Sequence, residues 1–379
     1  MSLTLERVRA ALEETLGFWL EYGVDHTHGG LHTHLDRHGR VFDTDKSIWA
    51  QGRWAWVLER SNDALGPDEN RSIAAASAWS FLQQHGFAPD GAMYFSVTED
   101  GRPLRSRRYV YSECFAAMAA AQLGHAAKAW SLLDTVWARF DGSEGVDAKT
   151  NSHTRPMIEL GLPMILLNVL QVFRETNCPS PEGMSVDCRI DACIDAVRPL
   201  VHDGEAAVLE VASPDGCVID HAQGRQLNPG HAIEASSFIL AEAMHRGCPD
   251  LQAMGLRMVG YAFERGWDVT HGGLLSFMDL RGEPCLEYQH DMKFWWPQFE
   301  ALVALLRAHV CTGDEQWWAK ANLVHDWIGD HLKDPEGPEF FGYLRVDGTP
   351  SSTRKGDLWK GAFHIPRALH DVMTLLSPR

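Results

Sequence analysis

The chain has 379 residues, 45% of them apolar and 22% charged; that is ample material for a core and excludes disorder as the main state. The 34 basic residues against 51 acidic ones leave a net charge of −17, which excludes long-range attraction to phosphate backbones or anionic lipid. No apolar run approaches the ~18 residues of a membrane span, and the first helical pattern carries acidic side chains with no signal-peptide layout, so the expectation is a cytoplasmic protein.

In chain order, an apolar period of 3.6 residues predicts a first helix over Leu5–Tyr22. The segment YGVDHTHGGLHTHLDRHG (22–39) that follows returns as RGWDVTHGGLLSFMDLRG (265–282). Asp25/Asp268, Gly30/Gly273 and Asp36/Asp279 share an offset of 243. Lys46-x-x-Trp49-x-Gln51 then matches Lys293-x-x-Trp296-x-Gln298 at an offset of 247, so the second copy has gained four loop residues. Weaker copies start at Gly91, Gly216 and Phe341, and their spacing places a degenerate one near 145–155. Six units of about 62 residues fill the chain.

Each unit reads as a short alternating strand, a glycine turn, a polar stretch and an apolar helix. The spacing predicts outer helices over Leu5–Tyr22, Asn70–His85, Ala126–Phe140, Asp187–Val201, Ala253–Gly266 and Glu315–Leu332. Inner helices alternate with them over Ser47–Ser61, Tyr111–Leu123, Met157–Glu175, Ala232–His245, Trp295–His309 and Lys360–Leu376. Cys178–Val186, with two Pro and one Gly, reads as a surface connection. Six helical hairpins with no open sheet to cover bury every apolar face by closing into a ring. The expected fold is all-α: a single (α/α)6 barrel over 1–379, a toroid with short β-hairpins in the loops on one face. The site is then expected in the central funnel.

Residues that open the inner helices face that funnel, and four clusters stand out. In Asn228-Pro229-Gly230-His231, Asn caps the helix and Pro suits its first position. His231 falls in the first turn, where the helix dipole disfavours imidazolium and keeps a base neutral. Glu234, three residues on, shares its face and is expected to orient the ring. In Trp359-Lys360-Gly361-Ala362-Phe363-His364, a second histidine lies beside an aromatic and a cation. Arg53 follows Trp49 by four and is a candidate for a sugar oxygen. In Lys293-Phe294-Trp295-Trp296-Pro297-Gln298, the tandem Trp suggests a stacking wall. Gln298 and Lys360 complete the candidate sugar contacts.

Other chemistries lack their motifs. There is no phosphate loop, dinucleotide fingerprint, HExxH or GxSxG. The eight cysteines include no CxxC pair, so free thiols in a reducing compartment are expected. His26, His28, His32 and His34 occupy a strand and turn that point successive side chains apart, with no acidic partner at metal spacing, so no metal site is expected.

Taken together, HGGLHTHLDRHGRVFDTDKSIWAQGRWAW, YSECFAAMAA, NPGHAIEAS, KFWWPQFEALVAL and WKGAFHIPRAL, running from residue 28 to 369, resemble the N-acylglucosamine 2-epimerase family. The resemblance implies the (α/α)6 barrel and a metal-free reaction at C2 of an open-chain aldose, with no required cofactor. It implies essential histidines at His231 and His364, a supporting Glu234, a substrate-binding Arg53, and pocket aromatics Tyr111, Trp296 and Trp359. It leaves ATP as a candidate allosteric effector and implies a homodimer. SECFAAMA and WWPQFEAL are similar to the N-acylglucosamine branch. The Asn-x-x-x-His pair usual in the cellobiose and mannose branches is replaced by Gly161-Leu162-Pro163-Met164. A less polar wall there suits an acetamido methyl group.

The expectation is interconversion of N-acetyl-D-glucosamine and N-acetyl-D-mannosamine, with two histidines facing each other across the funnel as bases. An aldose–ketose isomerase acting on mannose is the first rival. A non-enzymatic sugar or protein binder and a glycoside hydrolase, which needs two carboxylates across the cleft, follow.

Overall fold

The computed structural model describes residues 3–106, 110–143, 151, 153–181 and 184–377. Its helices are α1 (Leu5–Tyr22), α2 (Ile48–Leu65), α3 (Glu69–His85), α4 (Tyr111–Gln122), α5 (Ala126–Asp141), α6 (Gly161–Glu175) and α7 (Val186–Val197). A short α8 (Ala222–Arg225) follows, then α9 (Pro229–Arg246), α10 (Pro249–Gly266), α11 (Trp295–Thr312), α12 (Glu315–Trp327) and α13 (His364–Leu376).

Inner helices close a ring: α2 packs on α4, α4 on α6, α6 on α9, α9 on α11, α11 on α13, and α13 back on α2. Each is backed from outside by α3, α5, α7, α10, α12 and α1 respectively. The sequence dictates which helix goes where. α4 and α6 are apolar nearly all round and are buried nearly all round, whereas α10 buries one stripe, Leu251, Met254, Met258 and Val259.

Short antiparallel strands join neighbouring units at the funnel mouth. Lys46–Ser47 pairs with Tyr94–Val97, and Lys293–Phe294 with Tyr343–Leu344. The repeated residues build this collar. Asp25 accepts from the backbone N–H of Thr27 and His28 and, at 2.7 Å, from the buried Lys46 Nζ. Asp268 does the same with Thr270, His271 and Lys293. Asp334 pairs with Glu336 N–H and Lys355. Burial pushes the Asp25 carboxyl up, but Lys46 and the two amides outweigh it and hold the group at about 2. Gly30 needs its hydrogen side chain twice over: φ is +75°, and a Cβ would sit 2.6 Å from Gln51 Oε1.

Several boundaries differ from expectation: α9 and α10 begin at Pro229 and Pro249, three and four residues early, and α7 ends at Val197 rather than Val201; three others have a local cause. The helix predicted from Met157 begins at Gly161, because Ile158–Glu159 is a strand paired with Val211–Ala212. The helix predicted from Lys360 begins at His364, because Asp357 accepts from the backbone N–H of Trp359 and Lys360 and turns the chain first. Past Trp327 the outer helix widens into a π turn over Ile328–Leu332. The degenerate copy expected near 145–155 falls largely outside the described residues. All eight cysteines are unpaired. Among the described residues no helix is long and apolar enough to cross a membrane.

Candidate active site

A cavity of about 790 Å³ opens at the strand-bearing end of the ring, and all six inner helices line it. Arg53 comes from α2, Tyr111 and Phe115 from α4, Met164 and Ile165 from α6, His231 and Glu234 from α9, Trp295 and Trp296 from α11, and His364 from α13.

His231 is placed as its sequence predicts. Asn228 Oδ1 accepts from His231 N–H at 3.1 Å and Pro229 occupies the first turn. Its partner, however, is Glu210, whose carboxylate oxygens lie 3.0 and 3.1 Å from His231 Nδ1. Glu234 instead accepts from Arg367 Nη2 at 2.6 Å, so the expectation that it orients His231 is corrected. Glu210 sits between the short strands Ala207–Val208 and Val211–Ala212, with no helical period to announce it.

His364 has the same arrangement from different residues. Its Nδ1 lies 2.8 Å from Glu300 Oε1 on α11. Arg367, one turn along α13, places Nη2 2.5 Å from Glu300 and 2.6 Å from Glu234. Burial pulls the Arg367 guanidinium down, but Glu300 and Glu234 outweigh it and raise it. Burial pushes the His364 imidazole well below its usual range against the pull of Glu234, so this ring is neutral at physiological pH. Both rings line the cavity. They differ in access: the His364 side chain is 11% exposed and that of His231 32%.

The two histidines do not face each other across the axis. They sit on α9 and α13, either side of α11, and flank Trp296. Its ring centroid is 5.4 Å from that of His231 and 5.7 Å from that of His364, each at a 37° tilt.

Arg53 is wedged between aromatic faces, its guanidinium carbon 4.0 Å from the Phe115 centroid, 4.6 Å from Phe363 and 4.7 Å from Trp49. Burial draws it down to about 9, with Glu234 and Glu300 resisting, which leaves it charged at neutral pH. Its buried Nε has no hydrogen-bond partner among the described residues. Tyr111 lines the cavity from the neighbouring α4, and Trp359, 46% exposed at the mouth, packs edge-on to Trp49.

Two expected sugar contacts are elsewhere. Gln298 is fully buried; its Oε1 accepts from Leu274 N–H at 2.8 Å and its Nε2 donates to Leu274 O at 2.9 Å. Gln51 makes the same pair with Leu31. Lys360 is fully buried and donates to Glu339 Oε1 at 2.6 Å and Lys355 O at 2.9 Å. Both hold the collar and neither reaches the cavity, because each spends its donors on backbone or a buried carboxylate.

Glu234, Glu300 and His364 bring ligand atoms within 4.8 Å of one another, close enough to share a cation. Arg367 already bridges the two carboxylates, so their charge is met by a guanidinium and the cluster does not fit a resident metal.

The family model described as N-acylglucosamine 2-epimerase matches residues 29–158 and 206–367. The N-acylglucosamine 2-epimerase of Bos taurus is 34% identical over 378 residues, covering 96% of this chain and 89% of its own length. The Homo sapiens protein of that name is 33% identical, covering 96% and 88%. A crystal structure of D-mannose isomerase superposes with a TM-score of 0.84 over 97% of both chains at 16% identity, and shares the fold. The chain belongs to the N-acylglucosamine 2-epimerase family and is an enzyme of the isomerase class.

Proposed function

We propose that the protein interconverts N-acetyl-D-glucosamine and N-acetyl-D-mannosamine by removing and returning the C2 proton of the open-chain sugar. The observation that carries this is the pair of imidazoles, each tied at Nδ1 to a carboxylate, on either side of Trp296. A proton next to a carbonyl is weakly acidic, so its removal needs a placed base and a stabilised enolate oxygen. Inversion needs a base on each face. With C2 held over Trp296, one histidine takes the proton and the other delivers one. Glu210 and Glu300 fix the tautomers and stabilise the imidazolium that forms. Arg53 offers charge to the enolate oxygen from its aromatic cage.

Met164 and Ile165 make the α6 wall apolar, which suits the acetamido methyl and disfavours mannose isomerisation. We take the reaction to need no metal or cofactor, since Arg367 neutralises the carboxylates where a cation would bind. We place the enzyme in the cytoplasm as a single catalytic unit over 1–379, acting as a homodimer, with ATP as an effector. Incubating N-acetylmannosamine with and without ATP and identifying the product tests this. N-acetylglucosamine supports the reading; no turnover of N-acetylmannosamine with a ketose formed from D-mannose in a parallel incubation supports the isomerase, and turnover of neither sugar sinks both.

A further inference from the structure

The two strong repeats differ by four residues between Asp279 and Lys293, where the first copy runs from Asp36 to Lys46. The first copy spends this stretch on a strand, Val41–Asp43, paired back on His34–Leu35. The longer second copy leans over the funnel. From Cys285 to His290 its side chains alternate between half-buried and exposed, and the chain turns over 288–291, where His290 N–H donates to Glu287 O. Glu287 and Gln289 line the cavity, while Leu286 and Tyr288 point to solvent. Backbone bonds from Phe277 N–H to His290 O and from Ser276 N–H to Met292 O tie down its far end.

Glu287 is the informative member. Its carboxylate has no hydrogen bond or ion pair among the described residues, although it faces the cavity. Gln289 donates Nε2 to Tyr288 Oη at 3.0 Å and keeps its carbonyl oxygen. The inward face of the loop therefore presents acceptors in need of donors. Across the mouth, Arg354 donates its Nε to Asp357 and covers the Tyr343 ring, so its charge is already matched. A mouth of this kind takes neutral hydroxyls and disfavours an anionic substituent.

We propose that this four-residue insertion is the specificity element for the end of the sugar remote from C2, with Glu287 accepting from the C4 and C6 hydroxyls. The proposal rests on the epimerase reading, in which C1 and C2 lie at the histidines and the rest of the chain points to the mouth. An interaction with hydroxyls that do not react is made equally in ground and transition states, so its loss falls on KM.

The test compares wild-type enzyme with Glu287→Ala on N-acetylmannosamine and on its 4-deoxy and 6-deoxy analogues. The expected result is a KM raised roughly tenfold on the parent sugar, a charge-assisted hydrogen bond's worth, with a far smaller change in kcat. On at least one deoxy analogue the two enzymes should converge. An unchanged KM on the parent sugar overturns the proposal, as does a defect that persists undiminished on both analogues. Wild-type enzyme without turnover of the parent sugar would instead sink the epimerase reading.

Discussion

Glu300 Oε1 lies 2.8 Å from His364 Nδ1, and Arg367 Nη2 reaches the same oxygen at 2.5 Å. The bond joins α11 to α13, so the position of one base is set by a residue on the neighbouring inner helix. Glu210 sets the other from a strand connection. If both histidines transfer protons, His231→Ala and His364→Ala each remove turnover by roughly a thousandfold or more while the melting temperature changes little. Loss in one variant only would show a single base. Circular dichroism with steady-state assays reads both.

Glu210→Gln keeps the side chain's shape but removes the charge behind His231. Its exposure is moderate, so folding is unaffected, and kcat falls by about a hundredfold with a smaller change in KM. An intact kcat would show that His231 needs no carboxylate. The matching Glu300→Gln carries a stability cost as well, because Arg367 is buried and loses one of its two ion-pair partners among the described residues, keeping Glu234.

Gln298→Leu separates collar from cavity. It strands the N–H and C=O of Leu274 in a buried place, at a cost of about 2–4 kcal/mol. Thermal or urea unfolding should record that loss, with KM of the surviving folded enzyme unchanged. A raised KM at full stability would return Gln298 to the substrate site.

Gly161→Ala probes the cavity wall. A Cβ there would lie 2.9 Å from Tyr111 Oη, the far end of a side chain that can move. The expected outcome is an unchanged or slightly higher melting temperature, from the better helix former, with KM raised several-fold as Tyr111 shifts into the funnel. A KM at the wild-type value would remove Tyr111 from the contacts that matter.

Stability falls in two steps on acidification. His364 has a folded pKa depressed by burial, so the unfolded chain binds its proton more readily. Stability from this group is complete at pH well above 6.5 and is lost as pH falls through 6.5 toward the folded value. Asp25 and Glu242 have folded pKa values of about 2, held down by Lys46 and Arg174 despite burial. Their contribution is present above the unfolded carboxylate range and is lost below about pH 4. Melting temperature measured from pH 8 to pH 3 should show the first step shrink in His364→Phe while the second remains.

Much of the ring was legible because each unit repeats a helical period, and an apolar helix needs cover on every side. The collar was less so. Lys46, Lys293 and Lys355 do one job in three units, as do Gln51 and Gln298, and residues that recur between copies cannot all sit in one asymmetric site. That recurrence marks Gln298 as scaffold. Lys360 carries no such mark, and only its burial against Glu339 reveals it. His231 and His364 stand at unique helix starts, which made them visible. Glu210 lies in a strand link with no period, and its partner is 21 residues away; no local pattern encodes that contact. The flanking of Trp296 depends on which inner helices are neighbours, a property of ring order rather than of any segment.

If C2 loses one proton and gains another from a different histidine, the exchange is recorded in the product. Nuclear magnetic resonance of N-acetylmannosamine turned over by the enzyme in D2O tests it directly. The expected product is N-acetylglucosamine carrying deuterium at C2 from its first appearance. N-acetylglucosamine that keeps its protium at C2 would contradict two-base proton transfer.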